Sequence, residues 1–152
     1  MKPEIVTLPA MRLVGLDYIG KNENQEIATM WGQFNPRFGE IHADGETCYG
    51  LCVTLPAGSE PGVFEYVACA AAPAEVPVPS GMVEKFVPAH KYAKFKHVGE
   101  PTLVHQTFHK IYSDWLPENG LTNDGGYDLE MYDDDFMPQS SEPVMYVLVP
   151  IK

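Results

Sequence analysis

The sequence predicts an α+β domain made of two tandem β-α-β-β repeats. Residues 8–20 and 87–99 share a Pro-Ala pair and a closing glycine at a spacing of 79 residues. After each glycine comes a segment with helical apolar spacing, and after each helix come two strand-like runs. We expect an antiparallel sheet with the two helices on one face. The opposite face, near the two-fold seam, is left to form a central ligand cleft.

The first repeat opens with a strand over residues 3–18, interrupted early by Pro9 because proline cannot donate a hydrogen bond to a sheet. A helix follows over 25–38, where apolar side chains recur three and four residues apart: Ile27, Met30, Trp31 and Phe34. Two strands complete the repeat at 47–55 and 63–72, joined by a connection rich in glycine and proline.

The second repeat follows a Pro-rich linker at 73–81 and keeps the same order of elements. Its first strand covers 82–99. Its helix covers 101–116, and Gly120 is the expected C-terminal cap of that helix. The last strands are expected at 127–136 and 143–151.

Length and composition suit a single domain over residues 1–152, with half-repeats 1–74 and 82–152. Hydrophobic residues make up 45% of the chain, enough for a sizeable core. The net charge is −11, and no basic patch is present to neutralise phosphates, so nucleic acid is not expected as a partner. The field of this negative charge favours cationic ligands, although the charge could also serve solubility alone.

The sequence predicts a cytoplasmic protein without a membrane partner. No apolar run approaches the roughly 20 residues that span a membrane, and the N-terminus lacks the long apolar segment of a secretory signal. Cys48, Cys52 and Cys69 all lie in apolar strand-like runs, as is typical of reduced core thiols.

Glu130 is the carboxylate that the pattern singles out, because it lies inside a strand-like run. Strand alternation sends residues 128, 130 and 132 to one face of the sheet and residues 127, 129 and 131 to the other. The odd-numbered set makes a credible face for packing against a helix. Glu130 then points either into a cleft or out to solvent, and alternation leaves both open.

Aromatic residues on the inner hairpins flank the seam near Glu130: Tyr49, Phe64, Tyr66 and Tyr146. A carboxylate among aromatic walls suits an organic cation, because cation–π contact contributes about 0.5–2 kcal/mol per ring. A buried carboxylate also costs several kcal/mol unless it is paired. Plain core packing is the alternative for each ring. Trp31 is expected in the core, and Trp115 either there or at the cleft edge.

Other chemistry finds little support in the sequence. His105 and His109 are spaced i, i+4 on a helix, but no third metal ligand is suggested. Cys48 and Cys52 have no second cysteine pair to complete a zinc site. The GxSxG, Walker and GxGxxG motifs are absent. We therefore expect no metal, no cofactor and no catalytic residue of these classes.

The chain resembles the GyrI-like small-molecule-binding family from Ile5 to Ile151. The resemblance is carried by LPAMRLVGL, YGLCVTL, PSGMVEKFVPAHKYAKFKHVGE, IYSDWLPENG, YDLEMYDDDF and MYVLVPIK. This family includes the effector-binding domains of AraC-type and MerR-type multidrug transcription regulators of bacteria. The resemblance implies paired β-α-β-β units around a cleft that binds lipophilic, often cationic, organic molecules.

The same resemblance implies roles for individual residues. In the family's multidrug-binding members a buried glutamate in the penultimate strand meets the positive charge, and the matching residue here is Glu130. Tyr146 matches an aromatic of the last strand that lines the pocket. Further ligand-binding candidates are Tyr49, Phe64, Tyr66 and Trp115. Cys52 stands where the repeat would place a counterpart of Glu130, so a site with one carboxylate is expected.

The chain lacks the helix-turn-helix arm of the regulators, which favours a stand-alone binding module. Two alternatives stay open. One is a hydrolase of reactive small molecules, with Glu130 as general base after desolvation raises its pKa. The other is a protein-interaction module similar to topoisomerase modulators. Haem binding is a weaker alternative, and exposed sheet edges could pair in a homodimer.

Overall fold

The computed structural model describes residues 2–43, 45–53, 55, 58–123, 126–137 and 140–152. Within them, eight strands form one antiparallel sheet. The strands are β1 Glu4–Leu8, β2 Met11–Gly20, β3 Cys48–Val53, β4 Phe64–Ala71, β5 Val83–Val87, β6 His90–Val98, β7 Asp128–Tyr132 and β8 Val144–Pro150. The predicted α+β class and order of elements are confirmed.

The helices follow β2 and β6, as the repeat predicts. Helix α1, Glu26–Phe34, continues into a 3₁₀ segment, Asn35–Ile41. The second helical region comprises a 3₁₀ turn Pro101–Leu103, α2 Val104–Lys110, a π-helical stretch Ile111–Trp115 and α3 Leu116–Glu118. Gly120 ends this region with a φ of 64°, the left-handed conformation of a helix cap. In the described part of the chain, no helix is long and apolar enough to cross a membrane.

Both opening strands are divided at their Pro-Ala pairs. The break at Pro9, where the sequence predicted an interruption, separates β1 from β2. The break at Pro88 separates β5 from β6, where the sequence predicted one strand over 82–99. Proline has no N–H to donate, so pairing stops there and the chain changes neighbours. As a result β1 pairs with β6 of the other repeat, and β5 pairs with β2.

The strand order shows a pseudo-two-fold axis between β3 and β7. The sheet runs β1-β6-β8-β7-β3-β4-β2-β5. Exchanging each strand of the first repeat with its counterpart in the second reverses this order and leaves the sheet unchanged. The seam between the repeats is therefore the β3–β7 pair.

Both helical regions pack on the same face of the sheet. Helix α1 packs on one face over β4, where Met30 and Phe34 meet Ala68. The second helical region packs on the same face over β8, where Ile111 meets Val147.

The opposite face, where the cleft was expected, is filled by apolar side chains. The buried members of this cluster are Leu13, Tyr49, Leu51, Val67, Cys69, Val87, Tyr92, Leu129, Met131 and Leu148. Residues of both edge strands, Val6 and Val83, pack on that one cluster, so the sheet curls around it. The expectation of a cleft on this face is wrong, because the curled sheet closes over its own apolar side chains.

Candidate functional site: a cavity between the helices

A cavity of about 1110 Å³ opens on the helix-bearing face, above the β3–β7 seam. Its floor comes from β3, β4 and β7, and its walls come from α1 on one side and α2 on the other. Its lining includes Trp31, Cys48, Cys52, Phe64, Tyr66, His105, Phe108, Glu130, Tyr132 and Phe136. The volume suits an organic ligand of drug size or larger.

Glu130 lies at the floor of this cavity and is only 7% exposed. The hydroxyl of Tyr66 donates a hydrogen bond to its Oε1 atom at 2.6 Å, and the hydroxyl of Tyr132 donates to the same oxygen at 2.9 Å. No ion pair between described residues includes Glu130. Burial raises the pKa of Glu130, and the two tyrosine hydrogen bonds oppose that rise. Among the described residues, the hydrogen-bond donors to the Glu130 carboxylate are thus neutral.

Trp31 extends this network into α1. Its Nε1 atom donates a hydrogen bond to the Tyr66 hydroxyl at 3.0 Å. An indole nitrogen can only donate, so the Tyr66 oxygen accepts there and its proton is directed to Glu130. Burial, with the charge of Glu130 as the next cause, raises the pKa of Tyr66 and of Tyr132, so both hydroxyls keep their protons.

Aromatic rings make up much of the cavity wall. The Trp31 and Tyr132 rings meet edge to face with centroids 5.2 Å apart, and Tyr132 meets Phe136 in the same manner at 4.9 Å. Phe64 contributes from β4 and Phe108 from α2. The negative face of such a ring attracts an organic cation, whereas its positive edge does not.

The charged residues around the cavity are acidic. Glu46, Asp133 and Asp134 join Glu130 in the lining, and no lysine or arginine of the described chain lines it. Field lines from carboxylates are concentrated in a cleft with apolar walls. The cavity therefore favours positive charge over negative charge.

A family model for the GyrI-like small molecule binding domain matches residues 1–152. The chain belongs to the GyrI-like family. A curated relative, the transcriptional regulator BrlR of Pseudomonas aeruginosa strain PAO1, is 41% identical over 138 residues, which are 90% of this chain and 50% of BrlR. This GyrI-like domain thus spans about half the length of that relative.

Solved structures share the fold of this GyrI-like domain. The structure of SAV2435 bound to tetraphenylphosphonium matches with a TM-score of 0.75 and 19% identity, covering 100% of this chain and 94% of that one. The C-terminal domain of EcmrR matches with a TM-score of 0.72 and 14% identity, covering 99% of this chain and 97% of that one. At these identities the likeness establishes the fold.

Three of the residues singled out from the sequence come together in the cavity of this GyrI-like domain: Glu130, Tyr66 and Phe64. Ligand contact of each stays a prediction. Glu130 faces the helix-bearing side, whereas Leu129 and Met131 point to the cluster on the helix-free face. The alternation was right, but the expected partner of the odd-numbered side chains, a helix, was wrong.

The other three predicted site residues lie elsewhere. Tyr49 is buried in the apolar cluster of the helix-free face. Tyr146 packs on that cluster and donates a hydrogen bond to Asp135 at 2.8 Å. Trp115 packs in the core beneath the second helical region, with its ring 5.0 Å from that of Phe95. None of the three is among the described residues that line the cavity.

The strand register explains why Tyr146 lies on the helix-free face, away from the cavity. Tyr66 pairs with Tyr18, and at the same repeat spacing Met145 pairs with His97. Met145 is therefore the counterpart of Tyr66, and Tyr146 lies one residue further along. A shift of one residue turns a side chain to the opposite face of a sheet.

The same reasoning corrects the counterpart of Glu130. Gly50 pairs with Ala68, and Glu130 pairs with Val147, the residue equivalent to Ala68. The counterpart is thus Gly50 and not Cys52. Cys52 does line the cavity, where burial raises the pKa of its thiol well above the usual value and keeps it neutral.

Sequence reasoning missed several lining residues. Trp31 was assigned to the core because it lies on the apolar stripe of α1, yet it also borders the cavity. Phe108 borders the cavity from α2. Tyr132 was detectable, because alternation places it on the same face as Glu130 two residues away. The turn after β7 supplies Phe136, for which the sequence carries no comparable signal.

Proposed function

We propose that this GyrI-like domain binds lipophilic organic cations between its helices, with Glu130 as the counter-charge. The observation that supports this most is a buried carboxylate that accepts hydrogen bonds from two tyrosine hydroxyls and that no cation of the described residues pairs. Ionising such a group costs free energy. A cationic ligand in the cavity would return part of that cost through charge pairing and aromatic contact.

The comparisons support the same class of ligand. SAV2435, which shares the fold, was solved bound to tetraphenylphosphonium, a lipophilic cation. The similarity to one half of BrlR supports a role as the ligand-sensing part of a transcriptional regulator. In that role, occupancy of the cavity would be the signal, and α1 and α2 would be the elements that respond to it.

The test is a titration with tetraphenylphosphonium at about pH 8, followed by Trp31 fluorescence and by calorimetry. Trp115 lies outside the cavity lining and supplies a constant background. We expect Glu130→Gln to weaken binding at least about tenfold, because an ion pair near a protein surface contributes a few kcal/mol. The matched control is Glu118→Gln, which removes an exposed carboxylate outside the cavity lining.

A second comparison separates charge from shape. Tetraphenylborate has nearly the same form as tetraphenylphosphonium but carries a negative charge. We expect it to bind far more weakly to the wild type and to regain affinity in Glu130→Gln. Equal affinity of the wild type for both ions, or equal affinity of wild type and variant for the phosphonium, would show that Glu130 is not a counter-charge.

A further inference from the structure

We infer that Gly50 is the residue that positions Glu130, because its missing side chain leaves the space in which Tyr66 reaches the carboxylate. This inference rests on the proposed function for its biological meaning, since Glu130 is the proposed counter-charge. Its structural content, the orientation of Glu130 in the ligand-free domain, can be tested separately.

The space is defined by close distances. Gly50 and Glu130 face each other across the β3–β7 seam. A Cβ atom added to Gly50 would lie 2.7 Å from Oε1 of Glu130 and 2.7 Å from Cζ of Tyr66, and nearer still to the Tyr66 hydroxyl. Side-chain carbons do not approach other heavy atoms this closely, so with any larger residue Tyr66, Glu130 or both would have to move.

The backbone gives no other reason for glycine at this position. Gly50 lies in the middle of β3 and is not among the described residues with positive φ. Glycine inside a strand weakens it, because it loses more conformational entropy and contributes no side-chain packing. A strand interior that accepts this cost at the seam indicates that the empty space itself is used.

The symmetry of the fold gives the glycine a second consequence. Gly50 and Glu130 are counterparts in the two repeats, and the pseudo-two-fold axis passes between them. Identical acidic side chains at both positions would compete for one volume and repel each other. Glycine in the first repeat lets the second repeat place a single carboxylate next to the axis, which fits one positive charge per domain.

The effect of a methyl group at Gly50 follows from these contacts. Trp31 anchors the Tyr66 hydroxyl from α1, so the added carbon separates that hydroxyl from Oε1 of Glu130. Glu130 then loses one of the two donors that stabilise its ionised form. Its titration midpoint must rise, because burial now acts against fewer compensating hydrogen bonds.

The experiment follows the Glu130 carboxyl carbon by ¹³C NMR during a pH titration of the ligand-free domain. We expect Gly50→Ala to raise the Glu130 midpoint by at least about half a pH unit, and Tyr66→Leu to raise it as well. In the Tyr66→Leu background, Gly50→Ala should add a smaller rise, because the contact with the ring is gone and only the contact with Oε1 of Glu130 remains. Gly39→Ala is the control, since its added carbon meets nothing within 4 Å.

Two results overturn the inference. One is a folded Gly50→Ala chain with the wild-type midpoint, or with the same additional rise when Tyr66→Leu is present. The other is a Gly50→Ala chain that unfolds and that Tyr66→Leu does not restore, since the glycine then serves the fold alone. Restoration of folding by Tyr66→Leu supports the inference.

The wild type and these variants, titrated with tetraphenylphosphonium, separate this inference from the proposed function. We expect Gly50→Ala to weaken binding about tenfold near pH 6, the effect of losing one hydrogen bond to a charged group. If the wild type binds no phosphonium but the midpoint still moves, Gly50 positions Glu130 and the proposed function is wrong. If phosphonium binds and the midpoint stays fixed, the positioning role is wrong.

Discussion

The Nε1 atom of Trp31 lies 3.0 Å from the hydroxyl of Tyr66, and this hydrogen bond joins helix α1 to the floor of the cavity. Tyr66 in turn contacts Glu130 at 2.6 Å. A ligand that moves the carboxylate therefore pulls on α1 through two short contacts. The chain of donors also has a fixed direction, because the indole cannot accept a hydrogen bond.

Replacing Trp31 with phenylalanine should weaken cation binding without removing the aromatic wall. Trp31→Phe leaves the Tyr66 hydroxyl free to rotate away from Glu130. We expect tetraphenylphosphonium affinity, measured by calorimetry at about pH 7, to fall roughly three- to tenfold, the value of one hydrogen bond. Trp115→Phe is the matched control and should leave the affinity unchanged. Equal losses in both variants would argue against a role for the indole donor.

Cation binding should weaken as the pH falls. Burial raises the pKa of Glu130 above its usual value of 4.5, and only the ionised form attracts a cation. A proton and the ligand thus compete for one carboxylate, so the dissociation constant of tetraphenylphosphonium should rise as the pH drops through the raised pKa. Glu130→Gln should bind weakly at every pH. A wild-type profile as flat as that of the variant would contradict this prediction.

Asp128 should destabilise the fold at neutral pH. Burial raises its pKa from 3.8 to about 6, although the Tyr112 hydroxyl donates a hydrogen bond to it at 2.6 Å. Between those values the folded chain holds more protons than the unfolded chain, so the free energy of unfolding falls as pH rises. The cost is complete above pH 6 and absent below 3.8.

Asp128→Asn removes this charge while keeping an acceptor for Tyr112. By linkage, urea denaturation at about pH 7.5 should show the variant more stable by up to about 3 kcal/mol. At about pH 3.5 the two proteins should unfold alike, which serves as the internal control. A variant less stable than the wild type at the higher pH would mean that the charged carboxylate has a favourable partner.

Removing the hydroxyl of Tyr146 should leave ligand affinity unchanged. That hydroxyl bonds Asp135 on the face away from the cavity. Tyr66→Phe, in contrast, removes a donor to Glu130 and should weaken phosphonium binding about tenfold. Equal effects of Tyr146→Phe and Tyr66→Phe in the same calorimetric titration would place the ligand somewhere other than between the helices.

Periodicity made most of the fold predictable. Helical spacing located α1 and the second helical region, and the punctuation by glycine and proline located the strands. The order of elements followed because the repeat was visible in the matched Pro-Ala and glycine positions. The chain exchanges its edge strands at the breaks at Pro9 and Pro88. Local sequence does not predict this exchange, because the pairing partners of a strand depend on the whole sheet.

The face on which a side chain of the candidate site lies could be predicted only where it does not depend on the exact strand register. Glu130 and Tyr132 share a face by alternation alone, whichever residue pairs with them. The face on which Tyr146 lies does depend on register, and the strand pairing makes Met145, not Tyr146, the counterpart of Tyr66. The role of Gly50 could not be predicted for the same reason, because it depends on which residue faces Gly50 across the β3–β7 seam.

The exchange of β1 and β5 between the repeats has a consequence for how the domain assembles. Each half-repeat completes its sheet with a strand that the other half supplies, so every stable sheet edge requires distant parts of the chain to meet. Folds dominated by such non-local pairing form slowly. A chain cut in the connection at 73–81 should yield two fragments that are unstructured apart and that restore the cavity only on mixing. The repeat is thus recognisable in the sequence of each half, but we expect the two interlaced halves to fold only together.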